Sequence, residues 1–175
     1  MERLSSDMTH DLAWLNTLPV EEAVKELLQC CGSERWAQEM ANRRPYQDPE
    51  ALVRTANDIW WTLRPDDWLE AFRSHPKIGE KKAAESVSSQ SHEWSGQEQA
   101  GVSNASVETV DTLATLNREY EEKFGFIFII CATGKSSEEM LSALRERLNN
   151  DAATELTIAA GEQSKITELR LKKLI

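Results

Sequence analysis

The sequence predicts an all-α fold, a single-domain bundle of about eight helices with one buried extended segment near residues 124–132. Apolar residues recur at three- and four-residue steps over most of the chain, and prolines and capping residues mark where the helices begin and end. Only FGFIFIICA, at 124–132, is rich in aromatic and β-branched residues, as strands are. A lone strand has nothing to pair with, so we expect an extended segment within a helical protein.

Prolines and a glycine mark the ends of the first helices. A helix is predicted over residues 19–31, with Pro19 in its first turn and Gly32 after its end. A shorter helix follows around Trp36 and ends before Pro45, because proline cannot continue a helix.

The middle of the chain begins with two proline-initiated helices. Asp48 is the expected cap and Pro49 the first residue of one helix, and Pro65 begins the next. Residues 80–87 have the composition of another short helix. Residues 88–94, SSQSHEW, are polar and are predicted to form a loop.

Three helices are predicted in the second half. The first runs over about 103–124 and ends at Gly125. Ser136 and Glu139 have the spacing of a capping box for the second, and Asp151 can cap the third.

The composition limits the classes of partner. The 20 Lys and Arg against 30 Asp and Glu give a net charge of −10, which argues against a general nucleic-acid or anionic-membrane binder. No apolar run reaches the roughly 20 residues that span a bilayer, and the N-terminus lacks a signal-peptide core. Three cysteines without framework spacing predict reduced, buried thiols, as in a cytoplasmic protein.

The backbone of residues 124–132 must find hydrogen-bond partners. Buried N–H and C=O groups need hydrogen-bond partners, and this segment lacks a neighbouring strand. A bound ligand is one candidate, and a helix edge or ordered water is another.

His75 is the first candidate for chemistry. It follows an amphipathic helix, where a histidine can simply complement the helix dipole. It also has the pKa of a general acid or base. Pro76 restricts His75 to extended geometry and would hold the imidazole in one direction, which favours a catalytic role.

Ser95 and Glu98 also allow two interpretations. Their spacing is that of a capping box, in which Ser95 caps a helix and Glu98 bonds back to it. Alternatively, Glu98 points into a pocket, where a carboxylate can orient His75 or take part with it in proton transfer. Both interpretations place the segment at a helix N-terminus, which suits an anion.

The remaining signals are weaker. His10 and His92 have no metal-ligand spacing with each other or with a cysteine, and no nucleotide-binding glycine motif is present. Arg170, between two leucines near the end, could bind a carboxylate through its planar fork. Of the adjacent Trp60 and Trp61, one could be exposed to a partner, although both could be buried.

Four motifs together resemble a known family. HPKIG at 75–79, WSGQEQAG at 94–101, NREYEEKFGFIFIICATGKS at 117–136 and KITELRLKKLI at 165–175 look like the 2-oxo-4-hydroxy-4-carboxy-5-ureidoimidazoline (OHCU) decarboxylases. No single motif is specific, but the combination is, and it occurs in order over nearly the whole chain. The resemblance implies a single, all-helical decarboxylase domain over residues 1–175.

The resemblance also implies site residues. The catalytic pair would be His75, as proton donor, and Glu98, as a carboxylate that aligns His75 and bonds the substrate. Arg145 and Arg147 compete with Arg170 for the anion-binding role. The substrate-binding positions carried over by motif are Pro76, Ser95, Gln99, the backbone of Phe126, Ile127, Phe128, Ile129 and Ile130, and Arg170.

The implied activity is the decarboxylation of OHCU to (S)-allantoin and CO2, the last step from urate to allantoin. The family uses no metal and no organic cofactor, and its members are commonly homodimers. An ending without an S-K-L signal favours a cytoplasmic, bacterial member. The other hypotheses are a binding module without turnover and a hydrolase acting on 5-hydroxyisourate, which the lack of a sheet pattern disfavours.

Overall fold

The computed structural model describes residues 10–78, 89–102 and 105–175, and these ranges contain α-helices, one 3-10 helix and no β-strand. The all-α prediction is therefore confirmed, with nine α-helices in the described residues where about eight were expected. The short helix expected over 80–87 lies outside them. The elements are α1 Leu12–Thr17, α2 Val20–Cys30, α3 Glu34–Asn42, α4 Pro49–Thr62, α5 Pro65–Arg73, α6 Ser89–Glu98, the 3-10 helix η1 Ala100–Val102, α7 Val107–Phe124, α8 Ser137–Arg147 and α9 Ala152–Leu174.

The capping signals in the sequence mark real helix ends. The side chains of Asp48, Ser136 and Asp151 accept hydrogen bonds from backbone N–H groups three residues later, at 2.7, 3.1 and 2.7 Å. Gly125 ends α7 in the left-handed conformation, with φ of 81°. These residues form local structure that needs no distant partner, which is why the sequence predicts it well.

Helix α1 was missed because six residues are too short to display a helical period. Asp11 caps it by accepting from the Trp14 N–H at 2.9 Å. Arg44, distant in sequence, donates through Nη1 to the carbonyl oxygens of Leu15 and Leu18, at 2.6 and 2.7 Å. This contact satisfies the end of a helix that is too short to be stable alone.

The predicted loop at 88–94 and the predicted N-cap at Ser95 are both wrong. Residues Ser89–Glu98 form α6, and Ser95 lies inside its second half rather than at its start. The buried positions are Trp94, Ser95 and Glu98, which have helical spacing but are mostly polar. Polar residues on the buried face hide the apolar period, so the pattern was mistaken for a loop.

Two hydrophobic cores lie on either side of the extended segment. The first core is built mainly by α1–α5 and α9, and the second by α7 and α8. In the first core, the Trp36 indole donates to the Ala56 carbonyl at 3.1 Å, and the Trp60 indole donates to the Ala160 carbonyl at 2.9 Å. Trp60 is 2% exposed, whereas Trp61 is 43% exposed, so one of the two adjacent tryptophans faces outward.

The extended segment, residues 126–132, connects these cores and confirms the expected departure from helix. Its side chains alternate, as the period of an extended chain requires. Ile129 and Cys131 belong to the first core, and Phe128, Ile130 and Ala132 belong to the second. Both faces of the segment are therefore covered, which leaves its two backbone edges to be satisfied.

A buried ion pair supports one of these edges. Arg147 donates through Nη1 to the Ile129 carbonyl at 2.6 Å and through Nε to Glu155 at 2.6 Å. Glu155 is fully buried and also accepts from the Tyr120 hydroxyl at 2.5 Å. Arg147 is thus occupied with structure and not with a ligand.

We expect Arg147→Leu to lower the free energy of unfolding by about 3–5 kcal/mol, because it leaves the Glu155 carboxylate buried without its counter-charge. Urea denaturation followed by circular dichroism measures this. Arg145→Leu, an exposed position on the same helix, is the matched control and should change stability by no more than about 0.5 kcal/mol. A loss below about 1 kcal/mol in Arg147→Leu would contradict the structural role of the pair.

Candidate active site

A cleft of about 320 Å³, including the part open to solvent, lies where the extended segment meets α6 and α9. Its walls come from four separate parts of the chain, and they combine an imidazole, a carboxylate and an amide with an otherwise apolar surface. The lining residues are His75, Pro76, Ile78, Ser95, Glu98, Gln99, Phe128, Ile129, Ile130, Ala132 and Ile166.

His75 lies two residues beyond the end of α5. Its backbone N–H still bonds the Phe72 carbonyl at 3.2 Å, and Pro76 after it is buried. The ring is partly buried, and its Nε2 lies 2.6 Å from Oε1 of Gln163 on α9. The imidazole is therefore held from both the backbone and the side chain.

The environment of His75 favours its neutral form. Burial, together with the positive charge of Arg170, lowers the pKa of His75 from 6.5 to about 3, although the hydrogen bond to Gln163 raises it slightly. At neutral pH the ring is therefore a neutral imidazole, with a proton on only one of its nitrogens, and not an imidazolium ion.

Glu98 and Arg170 form a bidentate ion pair beside the cleft. Arg170 donates through Nε and Nη2 to the two carboxylate oxygens, at 2.8 and 3.0 Å. Nη2 also donates to the Ser95 hydroxyl at 3.0 Å, and Nη1 donates to the Gln29 carbonyl at 3.1 Å. Both side chains are almost fully buried, so the pair fixes the carboxylate rigidly at the cleft wall.

The structure brings together most of the residues singled out in the sequence. His75, Pro76, Ser95, Glu98, Gln99 and residues 128–130 all line the cleft. Phe126, Ile127 and Arg170 do not line it. The Phe126 ring packs against Phe72 with centroids 5.4 Å apart, and Ile127 packs against the first core.

Glu98 is not hydrogen-bonded to His75 in the described structure, which differs from the expected alignment of the ring by a carboxylate. Among the described residues, the imidazole is hydrogen-bonded to the amide oxygen of Gln163, and Glu98 accepts hydrogen bonds from Arg170 and not from the ring. Of the competing arginines, Arg145 is exposed and Arg147 is committed to Glu155.

Four residues that line the cleft or contact His75 were not predicted from the sequence. Three of them, Ile78, Ala132 and Ile166, are apolar wall residues without a distinguishing signal. Gln163 did carry a signal, because it occupies a core-facing position of α9 among apolar residues and is fully buried. A buried amide needs hydrogen-bond partners, and here one of them is His75.

The other titratable candidates lie elsewhere. His10 stacks on Trp14, with ring centroids 3.7 Å apart, and the side chain of His92 lies outside the described part of the structure. All three cysteines are free and buried, and burial raises the pKa of Cys31 to about 12. The described residues contain no group of three or more potential metal ligands and no helix long and apolar enough to cross a membrane.

The backbone of the extended segment has one edge, called the free edge below, without hydrogen-bond partners among the described residues. On one edge, the Ile129 carbonyl bonds Arg147, the Cys131 N–H bonds Glu162 at 3.4 Å, and the Cys131 carbonyl accepts from Lys135 at 3.1 Å. In an extended chain the peptide groups of adjacent residues point to opposite edges. The opposite edge belongs to Phe128 and Ile130, which line the cleft and have no hydrogen bond to other described groups.

Known proteins resemble this chain in sequence and structure. Residues 16–172 match the OHCU decarboxylase family. "Uric acid degradation bifunctional protein TTL" of Arabidopsis thaliana is 44% identical over 83% of this chain, and the chain spans only 45% of that relative. The "2-oxo-4-hydroxy-4-carboxy-5-ureidoimidazoline decarboxylase" of Amia calva is 30% identical, with 94% of each chain covered.

A solved structure agrees with these relatives. It is described as an OHCU decarboxylase in the presence of (S)-allantoin, and it is 42% identical to this chain. The superposition has a TM-score of 0.73 and covers 85% of this chain and 96% of the other. The similarity thus extends to the arrangement of the helices.

We expect His75 to remain neutral throughout pH 5–8. Because its folded pKa lies below its ordinary value of 6.5, the unfolded chain binds a proton more readily. The stability that His75 contributes is therefore present above about 6.5 and is lost as pH falls towards about 3. A proton and nitrogen NMR titration measures the ring directly, and His75→Gln assigns its signals. A midpoint above pH 5 would contradict this prediction.

Proposed function

The chain belongs to the OHCU decarboxylase family, and we propose that it catalyses the conversion of OHCU to (S)-allantoin and CO2, the last step from urate to allantoin. The observation that carries the proposal is the cleft itself. It combines a neutral imidazole, a fixed carboxylate and a free backbone edge in one small volume.

The free edge of the extended segment is the proposed binding site for the flat ring and its ureido group. Ring and ureido nitrogens and oxygens match the N–H and C=O groups of Phe128 and Ile130, which the described structure leaves without partners. Pro76, Ser95 and Gln99 lie around this edge. The apolar wall residues exclude water, which strengthens every hydrogen bond in the cleft.

The reaction requires one bond to break and two protons to move. The bond between the ring carbon and its carboxylate breaks, CO2 leaves, and the electron pair enters the π-system of the imidazoline ring. Solvent protonates a ring nitrogen. The hydroxyl on the decarboxylated carbon loses its proton and becomes a carbonyl, and the neighbouring ring carbon gains a proton.

We assign His75 to this last transfer. The pKa of His75 is lowered to about 3, so the ring enters the reaction neutral and must accept a proton before it can donate one. It takes the hydroxyl proton and then delivers it to one face of the ring carbon, the proton-donor role that the family resemblance implies. Because the base is held in a single orientation, it delivers the proton to one face only, which explains a product that is a single enantiomer.

Glu98 is assigned to the substrate hydroxyl or ureido nitrogen, for which its carboxylate is an acceptor. Arg170 acts mainly through Glu98, because four of the five N–H groups of its guanidinium are engaged by Glu98, Ser95 and Gln29. The anion-binding role expected of Arg170 is thus limited to one remaining N–H and to its charge.

No metal or organic cofactor is needed in this scheme, because the ring of the substrate accepts the electron pair. We therefore propose that dialysis against EDTA leaves turnover unchanged. A loss of turnover that added divalent metal restores would contradict this.

We also propose a quaternary state and a cellular location for the protein. The family resemblance implies a homodimer, and the three cysteines without framework spacing favour a cytoplasmic location. Trp61, 43% exposed, is an aromatic side chain available for a subunit contact. Sedimentation at micromolar concentration checks the dimer, and a purely monomeric mass would contradict it.

We expect His75→Ala to lower kcat by about 100-fold or more, because it removes the group that transfers the proton. The assay is the circular dichroism signal of (S)-allantoin, with OHCU generated in place from urate by urate oxidase and hydroxyisourate hydrolase. His10→Ala is the matched control, since His10 stacks on Trp14 outside the cleft. Near-normal turnover by His75→Ala would overturn the assignment, and no acceleration by the wild-type protein would leave a binding module without turnover.

A further inference from the structure

Gln163 touches the proposed catalytic base without lining the cleft. Its side chain is fully buried on α9, and both ends of its amide are engaged. Oε1 lies 2.6 Å from Nε2 of His75, and Nε2 of Gln163 lies 3.1 Å from the hydroxyl of Thr167. Thr167 is itself buried one turn further along the same helix.

This arrangement determines where His75 carries its proton. The amide nitrogen of Gln163 can only donate, and it donates to Thr167. The amide oxygen that faces His75 can only accept, so Nε2 of the imidazole is the atom that bears hydrogen. Nδ1 then carries the lone pair, and no other described group bonds the ring.

We propose that Gln163 is a positioning residue that holds His75 in the tautomer protonated at Nε2 and so presents Nδ1 as the atom that exchanges a proton with the substrate. The proposal rests on the proposed function of His75 and makes it specific to one nitrogen. Gln163 acts through His75 and does not touch the reacting atoms.

A neutral acceptor suits this task better than a carboxylate. A carboxylate at Nε2 would stabilise the imidazolium ion and keep the proton on the ring. An amide oxygen orients the ring while leaving Nδ1 free to take the proton and to return it. This distinguishes the site from one in which an acidic residue orients a catalytic histidine.

The charged groups around His75 support the same assignment. Arg170 on α9 lowers the pKa of His75, and Glu98 on α6, which lines the same cleft, is paired with Arg170. Lys77, in the turn that follows α5, is paired with Glu121 of α7 at 2.8 Å. The direct hydrogen-bond partner of the ring is therefore the neutral amide of Gln163.

The first test is nitrogen NMR of the wild-type protein at pH 7, with His75→Gln used to assign the signals. We expect a protonated Nε2 and an unprotonated Nδ1. The opposite tautomer would overturn the proposal, because it would require the amide of Gln163 to be reversed. This result does not depend on turnover, so it can fail while the decarboxylase assignment stands, or stand while that assignment fails.

Two substitutions at the same position test the functional consequence. Gln163→Leu removes the acceptor, so we expect His75 to populate both tautomers. We expect kcat to fall about tenfold, because that factor corresponds to the loss of one hydrogen bond. Gln163→Glu keeps an acceptor but adds charge. We expect it to keep the Nε2 proton and to move the acid limb of the pH–rate profile upward by about 1–3 pH units, as His75 becomes easier to protonate.

The control is Ser164→Ala, one residue further along α9, whose hydroxyl bonds Asn57 outside the cleft. It should leave kcat, the pH profile and the His75 signals unchanged. Unchanged kcat and an unchanged tautomer in a folded Gln163→Leu would overturn the positioning role. An unshifted acid limb in a folded Gln163→Glu would do so as well, since a merely structural glutamine predicts that result.

Discussion

A buried extended segment is the constraint on which the described structure depends. Residues 128–132 alternate between two hydrophobic cores, so both faces of the segment are covered by packing. In a helical protein the backbone of such a segment must be satisfied by side chains, by a helix edge, by ordered water or by a ligand. Arg147, Glu162 and Lys135 satisfy one edge. The other edge, at Phe128 and Ile130, has no hydrogen-bond partner among the described residues, and both residues line the cleft.

The two buried ion pairs contribute to geometry more than to stability. Burying opposite charges costs about as much as their attraction returns, so replacing such a pair by apolar residues need not weaken a protein. A fixed carboxylate or a fixed carbonyl, however, cannot be obtained from apolar packing. Arg147–Glu155 fixes the Ile129 carbonyl, and Arg170–Glu98 fixes the carboxylate at the cleft wall.

The sequence predicts those parts of the fold that local signals determine. Caps such as Asp48 and Ser136 and the glycine at 125 define helix ends because each acts within four residues of its own position. Helix α6 could not be predicted in this way, since its buried face carries Ser95 and Glu98, whose partner Arg170 lies more than 70 residues away. Gln163 was visible as a polar residue on an apolar face, but its partner His75 is 88 residues distant, and only the folded chain brings the two together.

Helix α9 connects these long-range contacts. Glu155, Gln163 and Arg170 are its buried polar contacts to the site, at intervals of eight and seven residues, which return to similar faces of a helix with about 3.6 residues per turn. Each of them supports a different part of the site: the extended segment through Arg147, the imidazole of His75, and the carboxylate of Glu98. A single helix therefore sets the relative positions of the proposed binding edge, the proposed base and the proposed acceptor. Displacing α9 would disturb all three together, so residues that do not line the cleft can still affect its geometry.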